Sequence, residues 1–198
     1  LMDADTHLLI GDGTNMRYYT SAEKAPKKYQ LMIVFEDDSF LAFTVSMYGS
    51  IYAFKGEFDN PYYQGSIHKL CPLDERFDKA YFISLIRNLK KDISAKALLA
   101  TEQRIPGLGN GVCQDILFNA RISPKRKIST LSEEDTDRLF NTVKSTLEEM
   151  TCQGGRDTEK DLYGALGNYR TILSKNTYHA PCPICGERIQ NCLLYTSD

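Results

Sequence analysis

The sequence predicts an α+β protein: an antiparallel β-sandwich portion, then an all-helical region, then part of a zinc ribbon. Three observations carry that expectation. β-rich runs fill the first third, helical spacing of apolar residues takes over at Asp78, and a Cys-x2-Cys pair, Cys182 and Cys185, stands near the end. The corresponding domains are 1–66 for the sheets, 67–77 for a linker, 78–177 for the helices and 178–198 for a truncated finger.

LMIVF (31–35) and FLAFTV (40–45) are strand-like runs separated by Glu36-Asp37-Asp38-Ser39, a turn composition. HLLI (7–10) and MRYYT (16–20) flank Gly11-Asp12-Gly13-Thr14-Asn15 in the same way, and SIYAF (50–54) adds one more short strand. The stretch 55–76 carries Pro61, Gly65 and Pro72 with little periodicity and reads as linker. Beyond it Phe82, Leu85, Ile86 and Leu89 share one helix face, with Asp78 as N-cap. Ser94 caps a second helix bearing Ala97, Leu98 and Ala100. Asn110 caps a third with Val112, Ile116, Leu117 and Ala120 inward. Ser132 and Asp135 form a capping box for a fourth, whose Leu139, Val143, Leu147 and Met150 make a core stripe, and Gly154-Gly155 ends it.

Composition excludes more than it selects. A 198-residue chain that is 42% hydrophobic can bury a sizeable core. Its 24 basic and 26 acidic residues leave a net charge of −2, which speaks neither for nor against nucleic acid, so local charge decides. No apolar run reaches the length of roughly 18 residues that a membrane span needs, and no secretory signal pattern is present. Six cysteines include the scattered Cys71, Cys113 and Cys152 beside the Cys182/Cys185 pair, a pattern of reduced thiols plus a metal knuckle and hence of a cytoplasmic protein. Leu1 at the start and NCLLYTSD at the close continue no pattern. The expectation is a fragment, with the tail from Asn191 arising at a sequencing or assembly junction.

RIPGLGNG (104–111) breaks a region that otherwise favours helix. A plain helix–helix turn explains it. So does a phosphate grip: the first N–H groups of the following helix point outward with the positive end of its dipole, and Gly107 and Gly109 let backbone approach an anion and adopt positive φ. Lys96, Arg104, Arg121, Lys125, Arg126 and Lys127 outnumber Glu102 and Asp115 nearby. Lys and Arg contacts of this kind position a duplex without reading its sequence.

The longer string ATEQRIPGLGNGVCQDILFNARISPKRK (100–127) resembles the helix-two-turn-helix of the formamidopyrimidine-DNA glycosylase/endonuclease VIII family. Gln103, Gly107, Leu108, Gly109, Asn110, Asp115, Ile116, Leu117, Phe118, Ala120, Ile122 and Pro124 all fall on that family's pattern. The order of sheet, helical domain and CxxC knuckle extends the resemblance over most of the chain. It implies a base-excision repair DNA glycosylase with AP-lyase activity that removes oxidised bases from damaged double-stranded DNA as a monomer. DNA would be held by Gln103, Gly107, Leu108, Gly109, Asn110, Lys125 and Lys127.

CPICG (182–186) has the spacing of a thiolate zinc knuckle, and the glycine lets backbone N–H groups turn toward the sulfurs. Zn2+ needs four ligands. Cys192 and His179 could each ligate, though neither has the usual spacing, and a redox-active pair is the rival reading. The expectation is half of a zinc site at Cys182 and Cys185. The family closes its finger with a second CxxC and usually an arginine that grips DNA, both absent here.

The family's nucleophile is an amino-terminal proline with an adjacent glutamate as acid/base. Pro26 and Pro61 are internal amides, so no catalytic residue is assigned and the fragment is expected not to cleave. Asp12 stands where the family places a wedge methionine. SMYG (46–49) offers Met47 and Tyr48 where an arginine and an aromatic wedge occur, which leaves Tyr48 to stack in the duplex or to be an ordinary strand-end aromatic. His7 and His68 read as surface residues. The competing class is a non-catalytic nucleic-acid-binding protein with the same helical motif and knuckle.

Overall fold

The computed structural model describes residues 5–21, 25–46 and 48–189. Two compact units emerge: Leu1–Asn60 with Glu159–Gly167, and Pro61–Thr158 with Asn168–Asp198.

The first unit is built from short antiparallel strands. β1 (Thr6–Ile10) pairs with β5 (Ile51–Lys55), and β4 (Phe40–Val45) lies between β2 (Thr14–Tyr19) and β3 (Leu31–Val34). The predicted strand runs are all present. β3 and β4 form a hairpin whose turn is tightened by Asp37: its Oδ1 accepts from the Ser39 N–H at 3.1 Å and the Ser39 hydroxyl at 2.5 Å. The Gly11–Asn15 segment is a different kind of turn. Instead of closing a β1–β2 hairpin, it sends the chain from one sheet to the other. The Gly11 N–H donates to the Ser50 carbonyl at 2.9 Å and the Ser46 N–H to the Gly13 carbonyl at 2.7 Å, so this corner interlocks with the one between β4 and β5. A Cβ at Gly11 would lie 2.2 Å from Ser50 Oγ, and one at Gly49 2.5 Å from the Gly13 carbonyl oxygen. Both glycines are set by this crossing. Phe40, Ala42 and Phe43 are buried, and Tyr19 stacks on Phe40 across the β2–β4 pair at 5.0 Å. Residues 159–167 join this unit through the Tyr18 N–H, which donates to the Leu162 carbonyl at 2.9 Å.

The second unit is helical. α1 (Pro61–His68) occupies part of the stretch read as linker, and Pro72 and Phe77 are fully buried in the predicted 67–77 linker. Eight residues are too few for periodicity to show, and Pro61 serves as a first helical residue, where its missing N–H costs nothing. α2 (Lys79–Arg87), α3 (Ala95–Ala100) and α5 (Glu133–Cys152) start at the predicted caps. The Asp78 carboxylate accepts from the Tyr81 N–H at 2.7 Å, Ser94 Oγ from the Ala97 N–H at 3.2 Å, and Ser132 and Asp135 form the capping box. Each such cap stabilises by about 1 kcal/mol. α4 (Asn110–Asn119) lies between α3 and α5. Phe82, Leu98, Leu99, Ile116, Leu139 and Val143 form its core, each fully buried side chain contributing about 2 kcal/mol of transfer free energy. Gly154 and Gly155, at φ 71° and 101°, end α5 as its composition implies, the Gly155 N–H returning to the Met150 carbonyl at 2.8 Å. Among the described residues no helix is long and apolar enough to cross a membrane.

Candidate nucleic-acid interface

The turn before α4 is strained and firmly held. Glu102 and Gln103 sit consecutively at φ 56° and 47°, a left-handed pair that costs about 1 kcal/mol or more per residue. Lys69 Nζ donates to the Gln103 carbonyl at 2.7 Å. The Arg104 guanidinium donates to the Ala97 carbonyl at 2.9 Å, the Thr101 carbonyl at 3.1 Å and Thr101 Oγ1 at 3.0 Å, and pairs with Glu102. Arg104 therefore closes the end of α3 instead of adding charge to the surface. Lys69 was hidden in the apparent linker, and nothing local marks it as the support of a turn so far along the chain.

Ile105 and Leu108 root the loop in the core at 1% and 5% exposure. The Leu108 side chain is an anchor, and its N–H is turned toward the Ile105 carbonyl at 3.4 Å. Gly107 adopts φ 76° as expected, but Gly109 does not. Gly109, at φ −89° and ψ 174°, is the N-cap of α4, and its carbonyl accepts from the Cys113 N–H at 3.0 Å. Asn110 is consequently the first helical residue, exposed, and makes no cap bond for its own helix. The amides of 110–112 lack the acceptor that a preceding turn would supply.

Behind this turn lies Asp115, fully buried. Its carboxylate accepts from the Ile172 N–H at 3.0 Å and the Leu173 N–H at 2.8 Å, and the Tyr169 hydroxyl also bonds to it. Burial pushes its pKa up, opposed by those hydrogen bonds. From the sequence alone Asp115 counts as a local acidic residue. It is an anchor that fixes 168–173 against α4. Burial likewise pushes the Cys113 thiol up to about 12, so it is an inert core group.

The basic residues divide into two sets. Arg126 pairs with Asp135 at 2.6 Å and donates to the Thr130 carbonyl at 2.9 Å. Arg121, Lys125 and Lys127 are exposed. In the strand unit Tyr48 is 90% exposed and held at φ 67°, two unfavourable choices for a large aromatic. Asp12 is exposed at its corner, and Met47 lies outside the described residues.

The knuckle forms a small hairpin. The Cys182 N–H donates to the Glu187 carbonyl at 2.7 Å, the Gly186 N–H returns to the Cys182 carbonyl at 2.9 Å, and Gly186 takes φ 75°. The Cys185 and Ile184 amides aim at the Cys182 sulfur and hold its thiol below the ordinary range. Such donors suit a thiolate metal ligand. Cys182 and Cys185 thus fit half of a tetrahedral zinc set. Among the described residues no group of three or more His, Cys, Asp or Glu gathers to hold a metal. The His179 ring lies tilted against Tyr178, with centroids 3.7 Å apart, and Cys192 lies outside the described residues.

Residues 70–161, which contain the whole turn, match the formamidopyrimidine-DNA glycosylase H2TH domain. A formamidopyrimidine-DNA glycosylase of Listeria monocytogenes is 29% identical over 187 residues, covering 90% of this chain and 66% of that protein. The Mycoplasma mobile enzyme of the same name is 27% identical over 96% of this chain and 68% of its own length. Over most of its length the chain is similar to the formamidopyrimidine-DNA glycosylase family. The α+β fold of that family is matched in solved structures: the MutM (Fpg) protein of Thermus thermophilus has a TM-score of 0.76 at 23% identity, covering 95% of this chain and 71% of that one. The Lactococcus lactis Fpg, solved with DNA containing an abasic site, has a TM-score of 0.74 at 21% identity, over 94% and 69%. The chain spans about two thirds of the length of its curated family relatives.

Proposed function

We propose that this chain is the DNA-holding part of a base-excision repair glycosylase with AP-lyase activity, acting as a cytoplasmic monomer on oxidised bases in damaged double-stranded DNA. The observation that carries this is the outward face of the turn at Gly109. Its backbone angles suit any residue, and a Cβ added there meets nothing within 4 Å. The fold itself has no need of a glycine at that position, so the bare backbone serves something that comes from outside. A phosphate oxygen fits. The amides of 110–112 and the Asn110 side-chain amide donate to it, with the positive end of α4 behind them. Gln103 and Gly107 shape the turn, Leu108 roots it, and Lys125 and Lys127 add charge along the duplex. Tyr48 enters the base stack as a wedge, which suits an aromatic already held in water.

In this chemistry a secondary amine attacks C1′ of a flipped-out nucleotide, the damaged base leaves, and the resulting iminium permits elimination of the 3′ phosphate. Every proline of these 198 residues is internal, so its nitrogen is an amide without a nucleophilic lone pair. These residues bind and orient DNA; they do not supply the nucleophile. Zinc at Cys182 and Cys185 would supply rigidity to the finger and takes no part in the reaction.

Fluorescence anisotropy with an abasic-site duplex tests the holding role. Binding should be salt-dependent, and Asn110→Ala should weaken it about tenfold whatever the sequence, the worth of one charge-assisted hydrogen bond. Unchanged affinity at moderate salt would rule out the grip. Borohydride trapping on the same duplex should give no covalent band with these residues; a trapped band would overturn the reading that none of them is the nucleophile.

A further inference from the structure

Away from the turn, two stretches of the helical unit that are distant in sequence build a second cationic surface. Residues 92–96, which lead into α3, run antiparallel to residues 124–129, which follow α4. Ser94 and Lys127 oppose each other in a β-bridge. On either side of it the Ala95 N–H donates to the Arg126 carbonyl and the Ile128 N–H to the Ile93 carbonyl, each at 2.9 Å. One face of this ribbon is core, since Ile93, Ala95 and Ile128 are buried. Side-chain alternation turns Asp92, Lys127 and Ser129 outward, and Lys90, Lys91 and Lys125 are exposed beside them.

The carboxylates nearest in sequence are engaged elsewhere. Asp92 is the one acid on the ribbon. Its oxygens accept from the Ser129 N–H at 3.1 Å and the Ser129 hydroxyl at 2.8 Å, and its charge acts on Lys127. In the first turn of α5, which follows, Asp135 pairs with Arg126 and Arg138, Glu134 lies 4.0 Å from Arg138, and Glu133 acts on Lys79. Among the described residues no ion pair includes Lys90, Lys91, Lys125 or Lys127. Four lysines thus share a surface with one carboxylate, an arrangement that concentrates polyanions.

What else the surface carries narrows the polyanion. No large apolar side chain is exposed from 87 to 96 or from 121 to 131. A protein partner would find none of the aromatic or apolar anchors that carry protein interfaces. Ammonium groups on flexible stems suit phosphates, which are held as point charges without base readout.

We propose that this ribbon is a second phosphate-binding surface for duplex DNA, on which Lys90 and Lys91 join Lys125 and Lys127 in contacting the backbone. The proposal rests on the reading of the chain as DNA-holding, but on a different part of it. All of α4, about 15 Å of helix, lies along the chain between the Gly109 turn and the ribbon.

Salt titrations of abasic-duplex binding with the 198-residue chain test it. Each phosphate neutralised contributes about 0.9 to the slope of log K against log salt. Lys90→Gln/Lys91→Gln should lower that slope by about two, and Lys90→Arg/Lys91→Arg should keep it. A wild-type slope in the Gln variant, or an equal loss in the Arg variant, would overturn the proposal. Where thermal melting shows the Gln variant unfolded, Lys91→Gln decides alone: a fall of about one is expected, and a wild-type slope rejects the surface. A polyglutamate peptide is the rival probe. A Gln variant that loses the peptide yet keeps the duplex slope would assign the ribbon to an acidic protein and overturn the proposal. Asn110→Ala separates the two readings. Unchanged affinity there, with the slope still falling in the Gln variant, removes the grip and leaves the ribbon; a chain with no salt-dependent duplex binding removes both.

Discussion

The turn at 103–111 and the knuckle at 182–186 are the two most motif-like stretches of the chain, and they are held in opposite ways. The turn is rooted from beneath: Ile105 and Leu108 are buried, Lys69 and Arg104 bind its carbonyls, and the buried Asp115 ties the following helix to 168–173. Its shape is complete before any ligand arrives. The knuckle has its local hydrogen bonds, but no residue from 176 to 189 is buried. It has two thiols and no core, so its order depends on what joins them. A short motif specifies a geometry only when the surrounding chain has already fixed its backbone.

Four variants bear on that contrast, from the largest effect to the smallest. Asp115→Ala strands two half-buried N–H donors and the Tyr169 hydroxyl, so unfolding of the helical unit in urea should lose about 4 kcal/mol. A loss near zero would mean that the turn is not anchored through this carboxylate. Asn110→Ala should cost about 1.5 kcal/mol in duplex binding and under about 0.5 kcal/mol in stability, because Asn110 is exposed and caps nothing. Equal losses in both would make it a structural residue.

A third test uses pH. Asp92 accepts from the Ser129 N–H at 3.1 Å and the Ser129 hydroxyl at 2.8 Å, and the backbone bond first, then the hydroxyl, hold its carboxyl below the usual range. A depressed folded-state pKa gives stability that is present above the unfolded value of about 3.9 and lost as pH falls through the folded one. Asp92→Asn should therefore flatten the acid fall in melting temperature. Asp115 has the opposite sign: its raised pKa makes its contribution largest at low pH and lost as pH rises through the folded value. The smallest effect belongs to the knuckle. Cys182→Ser, or a chelator, should move the unfolding midpoint of the helical unit by less than about 0.5 kcal/mol, because the knuckle buries nothing. A larger shift would show that the finger supports the helices.

What could be read beforehand follows the range of the interactions. Strand runs, the caps at Asp78, Ser94 and Ser132, and the stripe of α5 are local patterns and were legible. The pairing of β1 with β5 was not, because it is settled by Gly11 and Gly49 crossing near Ser50 and Gly13 rather than by either strand. The cap of α4 was misplaced by one residue, since Gly109 and Asn110 are both capable N-caps. Asp115 looked like surface charge because its partners, Tyr169, Ile172 and Leu173, lie far along the chain. Lys69 was invisible for the same reason.

The most direct test of the account is amide chemical-shift mapping of the chain as an abasic-site duplex is added. The largest shifts should fall on the N–H groups of Gly109, Asn110, Gly111 and Val112, with the knuckle amides near Cys182 moving little. Duplex binding that leaves those four amides in place would contradict the claim that the first turn of α4 holds the DNA backbone.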